Sequence, residues 1–202
     1  MQKKSKTVLR SQPAAAAGSC GDDCERISMK KIMMVYDQIQ AGAGTKDDQM
    51  VPLKATREVI GPAIMMERFL KANDEKIIAC VLCGNGTWKE NPAEIIRKIT
   101  ALAKKLGADA VLCGPCFNYA DYALMAAEAA LSIQNNDGIP AIACMSAENE
   151  SVIDKYAGQI PIVKCPKKGA VGLNDALENM CRLAADIIDH KNTENLRKEI
   201  CF

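Results

Sequence analysis

A single histidine, His190, in 202 residues leaves classical Cys/His metal ligation and Ser/His nucleophile chemistry poorly supplied. It falls near the end of the last helical pattern and reads as a surface residue. An excess of charge of one sign is equally absent: 26 Lys and Arg stand against 25 Asp and Glu, a net charge of +1. Such a balance generates no broad field for capturing nucleic acid or an acidic membrane surface. No apolar run is long enough to cross a bilayer, and "SQPAAAAGSC" after Lys3, Lys4 and Lys6 is too short to serve as the apolar region of a signal peptide. The expectation is a cytoplasmic protein that engages neither nucleic acid nor membrane. Aromatics make up only 4%, so the core must be built from Ile, Val, Leu, Ala, Met and Cys, a polarizable and oxidation-sensitive mixture that suits an anaerobic cell.

What the chain does have is sulfur. Ten cysteines without an export signal imply a reducing compartment, where thiols stay free unless they serve redox or metal chemistry. Residues 1–28 show neither helical nor strand periodicity and read as a flexible tail, in which "SCGDDCER" sets Cys20 and Cys24 in a CxxxC spacing. From residue 29 to 192 the texture is that of a single α/β domain, followed by a short C-terminal extension, 193–202.

Within that domain, short apolar runs alternate with helical patterns. "KIMMVYDQI", "KIIACVLC", "DAVLC", "IPAIACM" and "IPIVK" read as strands, and a helical stretch follows each. The helix opening at Asn91 carries its own punctuation, with Pro92 in the first turn, Glu94 at the capping-box spacing and Gly107 as a stop. Continuous rather than alternating apolar strands imply a parallel sheet covered on both faces. The prediction is a five-stranded, doubly wound sheet of flavodoxin-like or Rossmann-like type. In such sheets the functional crevice lies outside the carboxyl ends of the strands, which directs attention to the five loops found there.

Those loops carry the candidate chemistry. "CGPCF" sets Cys113 and Cys116 in a CxxC spacing at a strand-to-helix turn, where a helix dipole would favour the thiolate. "CVLCGNG" offers Cys80 and Cys83, but residues three apart on a strand face opposite ways, so this pair neither bridges nor chelates easily. With only one pair on a turn, a four-cysteine metal site is not expected. "QAGAGTKDD" has two glycines, lacks the third glycine of a dinucleotide loop and does not run into a helix, so no nucleotide cofactor is expected. "KCPKKGAVG" places Lys164, Lys167 and Lys168 before the last helix, either as an anion cradle or as a solvated basic loop.

Taken together, "YDQIQAGAGTKDD", "GPAIMMERFL", "CVLCGNGTWKENPAEI", "GADAVLCGPCFNYADYA" and "GIPAIACMSAENE" resemble the amino-terminal half of selenoprotein B, the substrate-binding component of the glycine, sarcosine and betaine reductases, related to the D-proline reductase selenoprotein. The resemblance implies thiol-dependent reductive cleavage of a C–N bond in a small amino acid or derivative. It also implies reductase partner subunits in an oligomeric assembly and a thioredoxin-like electron donor. No cofactor would be intrinsic, and a pyruvoyl or selenocysteine group would come from a partner subunit. The 202 residues contain no selenocysteine-glycine-threonine-cysteine segment, and the chain ends about where that half of the family would begin.

The loop "GPCFNYADY" also departs from the family's "GPAFNAGRYG": Cys116 stands in place of alanine and Asp121 in place of arginine. The departure makes Cys116 the candidate nucleophile in place of the selenolate, with Cys20 and Cys24 as a mobile electron relay. By the resemblance, Gly42, Gly44, Asp48, Cys83, Gly84, Asn85, Phe117, Asn118 and Tyr122 would line the substrate pocket, joined by Lys167 and Lys168. The alternative is a non-catalytic subunit that holds substrate or partners.

Overall fold

The computed structural model describes residues 29–202, so the tail and its Cys20 and Cys24 lie outside the described residues. The chain opens with β1 (Lys30–Asp37), β2 (Lys54–Thr56) and a 3-10 turn, Gly61–Met66, that leads into α1 (Glu67–Ala72). β3 (Glu75–Cys83), α2 (Asn85–Glu90), α3 (Pro92–Leu106), β4 (Ala110–Cys113) and α4 (Ala120–Asp137) follow. β5 (Ala141–Met145), α5 (Glu150–Tyr156), β6 (Ile162–Lys164), α6 (Leu173–Ile188) and α7 (Glu194–Ile200) complete the domain.

The strands form one six-stranded sheet in the order β2-β3-β1-β4-β5-β6. β3, β1, β4, β5 and β6 run parallel, and β2 lies antiparallel on the outer edge of β3. The α/β class is as expected, but the sheet is mixed and has a strand more than the sequence reading assigned. The reason is local: β2 is only "KAT", with exposed or half-exposed residues and no apolar run to betray it. Edge strands are commonly this short.

β1 sits between β3 and β4, so the chain builds to one side of it and then returns to build on the other. That reversal places the carboxyl ends of β1 and β4 at a switch point, the usual position of a crevice in open α/β sheets. The central strands are sealed, with Ile32, Met33, Met34 and Tyr36 all at 0% exposure. Two helix groups provide the cover. Tyr36 accepts a hydrogen bond from the Ala63 amide at 3.0 Å, which ties the turn before α1 to the sheet. α4 buries Ala123, Ala126, Ala127 and Ala130, small residues that let the helix sit close to the strands.

α3 begins as its sequence dictates, with the Asn91 side chain accepting from the Glu94 amide, and it ends at Gly107 in the left-handed conformation. Residues 193–202, read from the sequence as a C-terminal extension, pack on the domain. Leu196 and Ile200 of α7 are buried, Cys201 bridges to Val163, and the Phe202 amide donates to the Ile162 carbonyl at 3.1 Å. Among the described residues, no helix is long and apolar enough to cross a membrane.

Candidate functional site

β1 ends at Asp37, whose side chain is fully buried. One carboxylate oxygen accepts the Gln40 amide at 2.7 Å, and the other faces the Asn85 side-chain amide at 3.4 Å. Burial pushes this carboxyl above its ordinary pKa, while the Gln40 amide, the Asn85 amide and the charge of Lys168 pull it back. Gln38 is buried beside it and accepts the Asn85 backbone N–H at 3.0 Å through its side-chain oxygen. The Asn85 side-chain oxygen is itself buried and has no donor. A buried carboxylate and an acceptor lacking a donor therefore lie together where β1 and β3 end.

The loop after β1 covers this corner. The Gln49 carbonyl accepts the Gly86 and Thr87 amides at 2.9 and 3.2 Å, and the Gly84 amide donates to the Val51 carbonyl at 2.8 Å. A Cβ on Gly84 would meet the Gln49 carbonyl oxygen at 2.2 Å, so this close approach requires glycine. Gly42, Gly44 and Asp48 shape the loop and do not point chemistry inward. The Asp48 carboxylate accepts the amide and hydroxyl of Thr45 at 2.7 and 2.8 Å, bonds that hold its pKa below the ordinary value. Gly44 lies against it, with a Cβ reaching within 2.8 Å of the Asp48 Cβ. Cys83 is buried at the end of β3, and burial pushes its thiol up to about 11.

The turn after β4 overturns the expectation of an activated thiol. Cys116 has 0% exposure, precedes α4 rather than sitting in its first turn, and has its thiol pushed well above the ordinary range, first by burial. Its amide donates to the Cys144 carbonyl at 2.7 Å, and its sulfur lies 3.9 Å from the carbonyl oxygens of Cys113 and Tyr122. The cause is packing that sequence does not display: the turn is drawn down onto β5, and a Cβ on Gly114 would come within 2.8 Å of the Cys144 carbonyl oxygen. Cys113 is equally sealed and is pushed up to about 12. The CxxC spacing is therefore not an activated redox pair. Tyr122, also fully buried, anchors α4 by donating its hydroxyl proton to the Val35 carbonyl at 2.7 Å.

Beyond Cys116 the turn opens to solvent. Phe117 is buried at a positive φ of 50°, and its carbonyl accepts the Ser146 amide at 3.0 Å and the Asn149 side chain at 2.6 Å. Asn118 is exposed and accepts the Lys168 amide at 3.0 Å, while the Lys168 ammonium lies 5.5 Å from the centre of the Tyr119 ring. The loops after β4 and β6 thus meet, with Lys167 exposed next to them. Asp121, in the position of the family arginine, pairs with Lys89 at 2.6 Å.

One thiol that sequence reasoning passed over does gain acidity. Cys165, just beyond β6 and 8% exposed, is held below the ordinary thiol range, chiefly by a hydrogen bond from the Cys144 thiol and further by the Phe117 amide, against the opposing effect of burial. Cys144, buried and keeping its proton, is pushed well above that range. The signal in the sequence was the cysteine at or near four strand ends, Cys83, Cys113, Cys144 and Cys165, but "KCPKK" drew attention to its lysines.

No group of three or more His, Cys, Asp or Glu side chains suited to a metal ion occurs among the described residues. Surface clefts of 390 to 880 Å³ open elsewhere, one of 880 Å³ between α3 and α4 and one of 490 Å³ beside α1. The residues at the strand ends are instead packed shut beneath the loop after β1.

The model of a protein family described as glycine/sarcosine/betaine reductase selenoprotein B matches residues 29–201. The sarcosine reductase complex component B subunit beta of Peptoclostridium acidaminophilum is 26% identical over 157 residues, covering 77% of this chain and 35% of that protein. The glycine reductase complex component B subunit gamma of Carboxydothermus hydrogenoformans is 30% identical over 149 residues, covering 74% and 33%. The chain spans about a third of the length of these curated relatives. No solved structure matches.

Proposed function

Because the chain belongs to the glycine/sarcosine/betaine reductase selenoprotein B family, we propose that it is a subunit of an amino-acid reductase complex. In this reading it holds a small amino acid or N-methylated derivative where β1, β3 and β4 end. The observation that carries the reading is the pairing of the buried Asp37 carboxylate with the donor-less Asn85 oxygen. An amine N–H supplies what that acceptor lacks, and the carboxylate balances an ammonium charge. Lys168, exposed over Tyr119 and close enough to influence Asp37, offers a counter-charge for a substrate carboxylate. The loop after β1 must lift to admit the ligand, since its contacts with Gly84, Gly86 and Thr87 close the corner.

The burial of Cys116 favours the holding role over nucleophilic attack by that thiol. The selenolate that would supply the nucleophile, and the pyruvoyl carbonyl that would hold the amine, would then come from partner subunits. They would approach past Asn118, Tyr119 and Lys168, the exposed or half-exposed residues at this mouth. Electron delivery by a thioredoxin-like donor, an oligomeric assembly and a cytoplasmic setting complete the proposal.

Calorimetric titration of the full chain with glycine, sarcosine and betaine tests it. Glycine and sarcosine should bind saturably. Betaine, which has no N–H, should bind roughly tenfold or more weaker, the scale of one unmade buried hydrogen bond. Asp37→Asn should weaken glycine binding. No saturable binding of any of the three, or binding indifferent to Asp37→Asn, would reject this site.

A further inference from the structure

The cleft of 490 Å³ beside α1 adjoins the residues that open β3, at the end of the strand opposite Asn85. Its walls are hydrocarbon, supplied by Met29, Val59, Ala63, Ile64, Leu70 and Ile77. Met29, Val59 and Ile64 are 40%, 46% and 63% exposed, so large apolar side chains left in solvent converge on this one cleft. Contiguous apolar surface of this kind marks a binding site more often than scattered exposed residues do.

Glu75 lines the same cleft and breaks its apolar character. Residues two apart on a strand share a face, so Glu75 and the lining residue Ile77 belong to one face of β3. Glu75 is 1% exposed, and neither carboxylate oxygen has a hydrogen-bond partner. The charged groups around it are committed elsewhere. Lys30 on β1 pairs with Asp189 at 3.1 Å, Lys71 on α1 pairs with Glu67 at 2.7 Å, and Lys76 is turned out to solvent. Cys181 on α6 acts on the carboxyl group but leaves both oxygens unpartnered. A buried acceptor without a donor is costly, and a carboxylate accepts most strongly from a cation.

We propose that this cleft binds a small primary amine with an apolar body, whose ammonium group pairs with Glu75 while the body lies along the hydrocarbon walls. Burial keeps a proton on Glu75 in the empty cleft up to about pH 8, and the arriving ammonium displaces that proton to solvent. The apolar walls supply affinity and the carboxylate selects the head group. The site is separate from Asp37 and Asn85 and does not rest on the strand ends holding an amino acid.

The test is calorimetric titration of the full chain at about pH 8 with hexylamine, hexanol and ethylamine, repeated in the presence of glycine. Hexylamine should bind saturably. Hexanol, which lacks the charge, and ethylamine, which lacks the body, should each bind at least about tenfold more weakly. Glu75→Gln, with circular dichroism confirming that it is folded, should bring hexylamine down to the level of hexanol, and Ile64→Ser, at an exposed wall position, should weaken both. No saturable binding of hexylamine, as when a second copy of the chain fills the cleft, would overturn the site. So would equal binding of hexylamine and hexanol, or a preference that survives Glu75→Gln. Competition by glycine would place the amine at the strand ends and reject the cleft, whereas hexylamine binding indifferent to glycine supports it whether or not the strand ends hold an amino acid.

Discussion

The Tyr122 hydroxyl donates to the Val35 carbonyl at 2.7 Å, joining α4 to the central strand β1 at a point where both residues are at most 1% exposed. Water cannot replace a donor removed there. Tyr122→Phe keeps the ring and its packing but withdraws the proton, and the expected cost is about 1–3 kcal/mol of folding stability. Urea denaturation should show a lower midpoint with an unchanged slope, since the surface exposed on unfolding is the same. A midpoint equal to that of the parent protein would mean that the bond contributes nothing.

Gly84→Ala tests how the loop after β1 is held. Its φ of −65° suits any residue, so the effect isolates the clash of the new Cβ with the Gln49 carbonyl at 2.2 Å and the Val51 amide nitrogen at 2.6 Å. Overpacking of this kind costs about 1–3 kcal/mol. The cheapest relief is for the loop to lift, which would free the Gly86 and Thr87 amides from Gln49. Hydrogen exchange at those two amides should accelerate while β1 and β4 stay protected; unchanged exchange would show that the loop is not anchored there.

Glu75 opens β3 at the opposite end of the sheet, 1% exposed, with neither carboxylate oxygen hydrogen-bonded. Burial raises its pKa to about 8, opposed by the Cys181 thiol and the charge of Lys30. The folded protein therefore keeps a proton that the unfolded chain releases near pH 4.5. Stability from this group is complete below the unfolded value and declines as pH rises toward about 8, beyond which it is flat. Glu75→Gln, neutral at every pH, should match the parent near the lower limit and exceed it in stability at the upper one. Parallel pH profiles for the two proteins would refute a protonated Glu75.

These groups show where sequence was sufficient. The Asn91, Glu94 and Gly107 signals delimit α3 because caps are local chemistry, and the apolar strands announced the α/β class because burial on both faces leaves no alternation. β2 was invisible because pairing with β3, not composition, makes Lys54–Thr56 a strand. α2 was hidden by "GNG", whose glycines accommodate the overlying loop. The meeting of Asn118 with Lys168 spans β5 and depends on a strand order that composition does not encode, and the burial of Cys116 depends on how far the turn sinks toward Cys144; neither was legible.

Thiol reactivity follows from the same packing. Alkylation requires thiolate, and each unit by which a pKa exceeds the ambient pH reduces that fraction about tenfold. Cys83 at about 11 and Cys113 at about 12 are thereby suppressed near neutrality before access is considered, and Cys116 is suppressed further by its complete burial. Cys165 alone among the described cysteines has its pKa lowered, and it retains some exposure. Iodoacetamide labelling of the native protein at neutral pH should therefore modify Cys165 first among them. Cys144→Ser would replace the thiol donor with a hydroxyl and keep Cys165 in the lead, whereas Cys144→Ala would remove the donor and slow it. If Cys116 reacted before Cys165, the turn after β4 would have to be open in solution, and the closed packing of the strand ends would be wrong.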